Sequence, residues 1–300
     1  MKEINLKDLY KGNFYHVCTD GLEQVTLLKD EEDFKVAWNY LALSAWRTGV
    51  EVVTFTLMSN HVHELLACQD ECQADKAIKL FKKLLSTFLR RKYGLSQILH
   101  ETTDCISLID TEQYMKNCIA YILRNAVCAR ICSKPEDYVW SSYASCFSSG
   151  RKKHSIPVSK LGFTQKRNLL RTGMNLSSCP FELDETGLII LESFVRSDIV
   201  EKVYRNSGKS FLYYIGCCND AKMEYELACQ PLMHISDQEL HQTISRYVAN
   251  RFRGKELPDL TSAEKCSILK SMFFNNKTSI PQLSRIMGLP RSLVHHILSK

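Results

Sequence analysis

Two histidines separated by one residue are the first side chains in this sequence that could carry out chemistry. His61 and His63 flank Val62 in a stretch with extended character. Residues two apart on a β-strand project from the same face, so the two imidazoles would stand side by side and could bind one divalent cation. With one more ligand and open positions, such a cation could polarise a substrate oxygen. The alternative is that both histidines only pack or form hydrogen bonds inside the protein.

A tyrosine and an asparagine one helical turn apart form a second candidate group. Tyr121 and Asn125 lie in a segment with an apolar stripe at helical spacing. Residues four apart share one face of a helix, so the phenol and the amide would stand together at its rim. The amide oxygen can bind a hard cation, and the phenol, with an ordinary pKa of about 10, can attack a phosphorus atom that this cation polarises. The alternative is a packing role for Tyr121, with Tyr114 and Tyr143 as competing tyrosines.

The elements that must position these groups can be traced through the first half of the chain. Strands are predicted at residues 14–19, 52–58, 61–67 and 106–109. Helices are predicted at residues 30–49, 74–92 and 110–132. The turn pair Ser59-Asn60 would join the second and third strands as a hairpin, and Asp110 with Gln113 resembles a capping box. This order of elements predicts a small α+β sandwich with an antiparallel sheet.

The helix predicted at residues 74–92 is the most periodic segment of the chain. Its apolar stripe predicts packing against the sheet. The opposite face carries four cations, namely Lys76, Lys79, Lys83 and Arg90. That face is either solvated or contacts phosphates of a nucleic acid.

The end of the chain carries a separate signal. Residues 279–298 fit a helix-turn-helix with Gly288 at the turn, and further helices are predicted near 182–206, 236–253 and 261–275. The side chains predicted to contact DNA here are Arg285, Arg291, Ser292 and His295. The alternative is an ordinary helical hairpin.

Length and charge predict two regions of different character. Three hundred residues exceed what one core usually holds, so we expect a first domain at 1–150 and a mainly α-helical DNA-binding region at 151–300. The net charge of +6 is uneven, because the first half holds 17 Lys and Arg against 19 Asp and Glu, whereas the second half holds 22 against 14. A basic surplus suits a polyanionic partner, although many metabolic enzymes are equally basic.

Composition also bears on compartment and cysteine chemistry. No apolar run approaches the roughly 20 residues of a membrane span, and residues 1–5 lack the apolar core of a signal peptide. We therefore expect a cytoplasmic protein with no membrane partner. The DNA-binding predictions add an association with the nucleoid, and the protein is expected to be a monomer or a homodimer. The 13 cysteines are an odd number and predict reduced thiols. No doubled Cys-x-x-Cys is present, which favours incidental thiols over zinc ligands.

Three separated motifs resemble one known family. Residues 58–66, Met-Ser-Asn-His-Val-His-Glu-Leu-Leu, resemble the "LMxNHVHLL" signature of the HUH endonuclease superfamily, and more specifically of the REP-associated tyrosine transposases. Residues 121–127 resemble the "YIxxNPV" helix of that family, and residues 135–143 resemble its "PxxYxWSSY" tail. Residues 15–17, Tyr-His-Val, followed by Asp20-Gly21, are similar to its opening strand. The resemblance covers about residues 13–147, with the motifs in the family's order.

The resemblance implies a fold, a metal and a reaction. The fold would be a ferredoxin-like antiparallel sheet with helices, on which His61, His63 and Asn125 bind Mg²⁺ or Mn²⁺. Tyr121 would attack a phosphate in single-stranded or hairpin DNA, which leaves a 5′-phosphotyrosine and a free 3′-OH. The metal would stabilise the charge that develops on the phosphate oxygens. Duplex DNA would be a further partner through the helix-turn-helix.

The sequence departs from the family at three places and so keeps two hypotheses open. Asp20-Gly21 stands where the family has Arg-Gly, residues 125–129 have lost the Pro and Arg of "NPVRA", and Thr102-Thr103-Asp104 replace basic residues. The first hypothesis is a transposase-like single-stranded DNA endonuclease and strand transferase. The second is a non-catalytic DNA-binding protein or transcription regulator. A replication or plasmid-transfer initiator shares the chemistry, but no helicase domain or second nearby tyrosine is evident.

Overall fold

The computed structural model describes most of the chain. The described residues are 3–19, 26–94, 104–129, 131–148, 155–217, 237–252, 255–276, 278 and 280–298. The chain divides into two compact units, Met1–Gln230 and Pro231–Lys300. The first unit contains the sheet, whereas every described element of the second unit is helical.

A four-stranded antiparallel sheet forms the centre of the first unit. Its strands are β1 (Asn13–Thr19), β2 (Glu51–Leu57), β3 (Val62–Cys68) and β4 (Asp104–Ile109), in the spatial order β2-β3-β1-β4. A single turn, α1 (Leu6–Leu9), precedes β1; α2 (Glu31–Thr48) follows β1 and α3 (Glu71–Tyr93) follows β3. The resulting β-α-β-β-α-β order is that of ferredoxin-like folds. The expected α+β class with an antiparallel sheet is confirmed.

Helices α2 and α3 have well-defined ends and cover one face of the sheet. The Asp30 side chain accepts from the Asp33 N–H in a capping box, and Asp70 caps α3 in a similar way. Gly49, with φ of 72°, ends α2 in the left-handed conformation that glycine adopts without a Cβ penalty. The buried core on this side, called the α2/α3 face below, joins strand and helix residues that include Val17, Phe55, Trp38, Phe81 and Leu85.

Helix α4 (Glu112–Cys128) covers the opposite side of the sheet, called the α4 face below. Met115 and Ile119 of this helix are fully buried against Leu65 of β3. The helix is capped by Thr111, whose hydroxyl accepts from the Tyr114 N–H at 3.1 Å. The expected capping box of Asp110 and Gln113 is therefore wrong, because the N-terminal cap lies one residue later.

Residues 135–143 cover the free edge of β2. The Leu57 N–H donates to the Trp140 carbonyl at 2.9 Å, and the Tyr138 hydroxyl donates to the Leu57 carbonyl at 2.6 Å. The Ser142 hydroxyl lies 2.7 Å from that of Thr54. An exposed strand edge invites pairing with another chain, and this segment occupies the edge instead.

Residues 155–217 belong to the first compact unit, so that unit extends beyond the boundary expected at residue 150. Their elements are β5 (Ile156–Pro157), α5 (Phe163–Leu170), β6 (Glu182–Leu183), α6 (Leu191–Phe194), α7 (Ser197–Val203) and α8 (Gly208–Cys217). The Trp38 indole N–H donates to the Ile189 carbonyl at 2.8 Å, and Asn39 bonds both Gly187 and Ile189. The single helix expected near 182–206 is wrong, because this segment folds as short pieces. The pieces up to α6 pack in the core with α2, whereas α7 packs against α4 and β2.

The second unit is built from four described helices. These are α9 (Asp237–Arg251), α10 (Ser262–Asn276), α11 (Ile280–Met287) and α12 (Arg291–Leu298). Gly288, with φ of 62°, lies in the turn between α11 and α12, and Leu283 and Val294 are buried in this unit's core. A DNA-binding role for this helix pair stays a prediction. The side chains of Arg285, Arg291, Ser292 and His295 lie outside what the structure describes.

Across the part of the chain that the structure describes, no helix is both long and apolar enough to cross a bilayer.

Candidate functional site

His63 lies on the α4 face at the centre of the sheet. It stands opposite Cys18 of β1 and Thr56 of β2, and it is 2% exposed. Burial lowers the pKa of His63 well below its ordinary value, and the charges of His61 and His16 lower it further. The imidazole is therefore neutral at neutral pH and can offer a nitrogen lone pair.

His61 directly precedes β3 and is half-buried beside His63. The two ring centroids are 4.9 Å apart, with the rings nearly perpendicular at 86°. The His61 Nδ1 lies 2.8 Å from Oδ1 of Asn60. Because an amide oxygen only accepts hydrogen bonds, Nδ1 of a neutral His61 carries the proton and Nε2 is the basic nitrogen. The structure therefore brings the two predicted imidazoles together.

Tyr121 of α4 lies against the His63 imidazole. Its ring centroid is 5.1 Å from that of His63, and the rings meet edge to face at 82°. A hydrogen bond of 2.7 Å from the Thr56 hydroxyl to the Ile122 carbonyl fixes this turn of α4 on β2. A phenol from a distant helix and a strand-borne imidazole therefore converge, while their chemical roles stay predictions.

His16 is a member of this cluster that sequence reasoning did not assign to the site. Its ring is parallel to that of His63 within 11°, and its Nε2 lies 3.2 Å from the His63 Nδ1. The Tyr121 ring centroid is 6.0 Å away. Complete burial lowers the pKa of His16 to about 3. The alternation of Phe14, His16 and Cys18 along β1 was the available signal, since these positions share one face of a strand.

The hydrogen bonds to the two Nδ1 atoms define how the imidazoles are oriented. When Nδ1 of His63 donates to Nε2 of His16, the basic nitrogen of His63 is Nε2, as it is in His61. Metal-binding histidines are commonly held this way, because the second nitrogen donates to a fixed acceptor. Asn60 and His16 therefore have the geometry of positioning residues for His61 and His63.

Cys18 adds a sulfur atom to the buried part of the cluster. The ligand atoms of His16, Cys18 and His63 all lie within 4.8 Å of one another, and all three residues are buried. Thiolate and imidazole groups suit zinc-like or copper-like ions, whereas oxygen ligands suit Mg²⁺. The pairing register of β1 and β3 creates this group, and no cysteine spacing in the sequence indicates it.

Asn125, the third predicted metal ligand, follows Tyr121 by one turn of α4 and is half-buried. Within the described residues, no hydrogen bond joins its side chain to His61 or His63.

The neighbouring Arg124 has a buried Nη1 that lacks a hydrogen-bond partner in the described part of the chain. A buried donor without a partner is costly, and an anionic group would satisfy it. Arg124 is a second candidate residue that sequence reasoning missed.

The predicted donors fit a divalent cation that accepts both nitrogen and oxygen ligands. His61 and His63 offer Nε2 atoms, and Asn125 would add an amide oxygen. Mg²⁺ prefers an all-oxygen shell, whereas transition metals bind imidazole more strongly. Of the two expected ions, the donor chemistry favours Mn²⁺ over Mg²⁺.

The four cations predicted to contact DNA on α3 lie away from this cluster. Helix α3 packs on the α2/α3 face, whereas Tyr121 and His63 lie on the α4 face. Lys79 is exposed and forms an ion pair with Asp75 at 2.7 Å. The others, Lys76, Lys83 and Arg90, are also exposed.

Comparisons with known proteins include a likeness to a solved structure. No protein-family model and no curated protein matches this chain. A solved structure of a REP-associated tyrosine transposase bound to a REP hairpin is similar over 48% of this chain and 81% of that chain. The sequence identity is 14% and the TM-score is 0.35.

Proposed function

We propose that this protein is a transposase-like, metal-dependent endonuclease and strand transferase that acts on single-stranded DNA through Tyr121. The observation that carries the proposal is the convergence of the Tyr121 ring, at 5.1 Å between centroids, on His63 and its neighbour His61. A phenol beside two imidazoles, of which the buried His63 is neutral, is the group needed for phosphodiester cleavage through a phosphotyrosine. The motifs at residues 58–66, 121–127 and 135–143 support the same chemistry.

The proposed reaction exchanges one phosphate ester for another. The Tyr121 oxygen loses its proton and forms a bond to phosphorus, and the bond from phosphorus to the 3′-oxygen breaks. The departing 3′-oxygen takes up a proton, and the 5′-phosphate stays on Tyr121. Since no ester bond is lost in total, a 3′-OH can reverse the step and rejoin strands without another energy source.

The surrounding side chains would position the phosphate and balance its charge. His61, His63 and Asn125 would hold the cation, which polarises the phosphate oxygens when bound. The buried Nη1 of Arg124 would donate to a non-bridging oxygen and so gain the partner that it lacks among the described residues. His16 and Asn60 would keep both Nε2 atoms directed at the cation.

The proposed substrate is DNA with a single-stranded region next to a hairpin. The structurally similar transposase is bound to a REP hairpin, and we extend that kind of ligand to this chain as a proposal. The α11–α12 helix pair would dock on duplex or hairpin DNA. A monomer or homodimer associated with the nucleoid in the cytoplasm fits this activity.

The proposal is tested by trapping the covalent intermediate. Wild-type protein and Tyr121→Phe are incubated with Mn²⁺ and end-labelled single-stranded DNA taken from the sequence flanking the gene, and are then resolved under denaturing conditions. Wild type is expected to give a denaturant-stable protein–DNA adduct, and Tyr121→Phe none. Tyr114→Phe is the matched control, because it removes a phenol from the same helix.

The outcome that contradicts the proposal is equally definite. An adduct that persists in Tyr121→Phe would move the nucleophile elsewhere. DNA binding by wild type with no adduct in Mn²⁺ or Mg²⁺ would support a non-catalytic DNA-binding protein. The observation that favours this second candidate is the 2% exposure of His63, which restricts the approach of a phosphate.

A further inference from the structure

Charge in the second half of the chain is concentrated in one short segment. Residues 151–171 contain seven Lys and Arg and no Asp or Glu, whereas residues 172–300 contain 15 against 14. The basic surplus of that half therefore comes almost entirely from this segment and not from the terminal helix pair. Helix α5 (Phe163–Leu170) is its described helical part, and it packs beside α2 in the first unit.

A groove of about 560 Å³ opens where α5 meets α2 and the last turns of α3. Arg91 and Lys92 of α3 line one side, and Arg167 and Arg171 line the other. Lys92 is already surrounded by the carboxylates of the α2 N-terminus. The cationic surplus of the groove therefore comes from its three arginines.

The arginines are placed to bind an anion. No ion pair of Arg91 or Arg167 is found among the described residues, and both are exposed. Arg171 pairs with Glu32 at 2.8 Å, but both side chains are about half exposed, at 47% and 44%. Such exposed pairs exchange partners at little cost. Burial raises the pKa of Tyr40 to about 12 against the opposing charges of Arg91 and Arg171, and all three residues line the groove.

Aromatic rings lie between these cations. Phe163, at the start of α5, is 73% exposed, and it lines the groove together with Phe88 of α3. A large apolar ring exposed among arginines suits a ligand with both negative charge and flat apolar faces. Single-stranded nucleic acids have this combination, since phosphates bind basic grooves and bases stack on aromatic side chains.

The groove begins near the same end of the strands as His61, which directly precedes β3. Leu85 of α3 and His61 line one small cavity, and Phe88 follows Leu85 by about one turn. The N–H groups of Leu27 and Leu28, just before α2, donate to the Ser59 carbonyl at 2.8 Å. A DNA strand that leaves the His61 cluster over this end of the sheet would therefore enter the groove.

We infer that the groove between α2, α3 and α5 binds a single-stranded DNA segment, with phosphates at Arg91 and Arg167 and a base stacked on Phe163. The inference rests on the proposed function, because it extends the bound strand beyond the phosphate attacked by Tyr121. It assigns a DNA-binding surface without base-sequence preference to a groove whose residues lie outside the three sequence motifs.

The test measures binding separately from cleavage. Fluorescence anisotropy of a labelled oligothymidine is recorded in a chelator with Tyr121→Phe protein, so that no chemistry occurs. Adding Arg167→Ala is expected to weaken binding several-fold and to reduce the slope of log affinity against log salt by about 0.7. Adding Phe163→Ala is expected to weaken binding about 10-fold, with no such loss on an abasic strand of equal length.

Matched controls come from α8 of the same unit. Tyr213 is 72% exposed and Lys209 is exposed, so Tyr213→Ala and Lys209→Ala remove similar groups elsewhere. Both controls are expected to change affinity less than twofold. Equal affinity of the groove variants and the controls would overturn the inference. Equal weakening of normal and abasic strands by Phe163→Ala would show a general polyanion site and would also overturn it.

Adduct formation with Tyr121 intact separates this inference from the proposed function. At saturating DNA, the control variant Lys209→Ala is expected to form the adduct at the wild-type rate. If the groove variants weaken binding but wild type forms no adduct, the nuclease proposal is refuted and the groove inference is supported. An adduct in wild type combined with unaltered binding by the groove variants would refute the groove and leave the nuclease.

Discussion

The two faces of the central sheet give their buried titratable groups different surroundings. His63 and Glu64 are consecutive in β3, and both are almost completely buried. His63 faces α4 and contacts His16 through a 3.2 Å hydrogen bond. Glu64 faces α2 and α3 between Val17 and Phe55 of the flanking strands. One strand therefore supplies the candidate site on one face and an isolated carboxyl on the other.

The difference shows how the fold separates chemistry from stability. On the α4 face, polar side chains of β2 pair with the 135–143 segment or with α4, as Thr54 does with Ser142 and Thr56 with the Ile122 carbonyl. The α2/α3 face is stabilised by aromatic contacts such as Trp38 with Phe55, at 4.9 Å between centroids. Burial alone raises the pKa of Glu64 to about 8. We therefore expect activity to depend on His63 and stability to depend on Glu64.

Single substitutions of His63 and Glu64 test this comparison, and they have the largest expected effect. His63→Asn is expected to slow adduct formation by about 100- to 1,000-fold, as when one group that stabilises transition-state charge is removed. Glu64→Gln is expected to form the adduct within about twofold of the wild-type rate, because its side chain lies on the other face. The measurement is the initial rate of adduct formation at saturating DNA and Mn²⁺.

Folding must be followed in the same variants. The three tryptophans, Trp38, Trp46 and Trp140, all lie in the first unit, so their fluorescence reports its unfolding. A large loss of rate in Glu64→Gln with normal stability would break the proposed division between the faces.

The second prediction concerns stability and pH. A glutamate with a pKa near 4.5 when unfolded and about 8 when folded favours the protonated, folded form. Its contribution is fully present below pH 4.5 and is lost as pH rises toward 8. Relative to Glu64→Gln, the wild-type free energy of unfolding should fall by at most about 4 to 5 kcal/mol over this range. Urea unfolding from pH 4 to pH 9 measures the difference.

Parallel curves for the two proteins would contradict this account of the α2/α3 face. They would mean that the Glu64 carboxyl ionises inside the folded protein as easily as in the unfolded chain. The variant Glu64→Leu provides a second reading, because it also removes the buried polar atoms and should show no slope from this position.

The third prediction tests whether His16 positions His63. His16→Leu removes the hydrogen-bond partner of the His63 Nδ1 and is expected to weaken Mn²⁺ binding about 10- to 100-fold. His16→Gln keeps an acceptor and should restore most of the affinity. Calorimetric titration of Mn²⁺ measures both without DNA. Unchanged affinity in His16→Leu would mean that His16 has only a packing role.

Local sequence patterns predicted the elements of the sheet layer and part of the site. Helical periodicity located α3, and the spacing of His61 and His63 located the imidazole pair. The contribution of His16 was not predictable, because it depends on the register that places Cys18 of β1 opposite His63. Register is a property of two distant segments, and no spacing within either segment determines it.

The extent of the first unit was also beyond local patterns. A helix was expected near 182–206, whereas Leu183 and Phe194 of this segment are buried in the core formed with α2. Asn39 holds this segment through Gly187 and Ile189, which are almost 150 residues away in sequence. Tertiary burial therefore outweighed the local preference for a longer helix.

The smallest expected effect comes from the outer face of α3. Lys79→Ala should leave the affinity for oligothymidine within about twofold of wild type, because Lys79 is already paired with Asp75 and lies about three helical turns before Arg91 of the groove. Anisotropy under the conditions used for Arg167→Ala gives the comparison, with Lys83→Ala as a second position on that face. If both lysine variants weaken binding more than Arg167→Ala, the DNA follows the outer face of α3, as its basic stripe suggests. If only Arg167→Ala weakens binding, the DNA strand lies at the end of α3 nearest α5, where arginines and the exposed ring of Phe163 occur together.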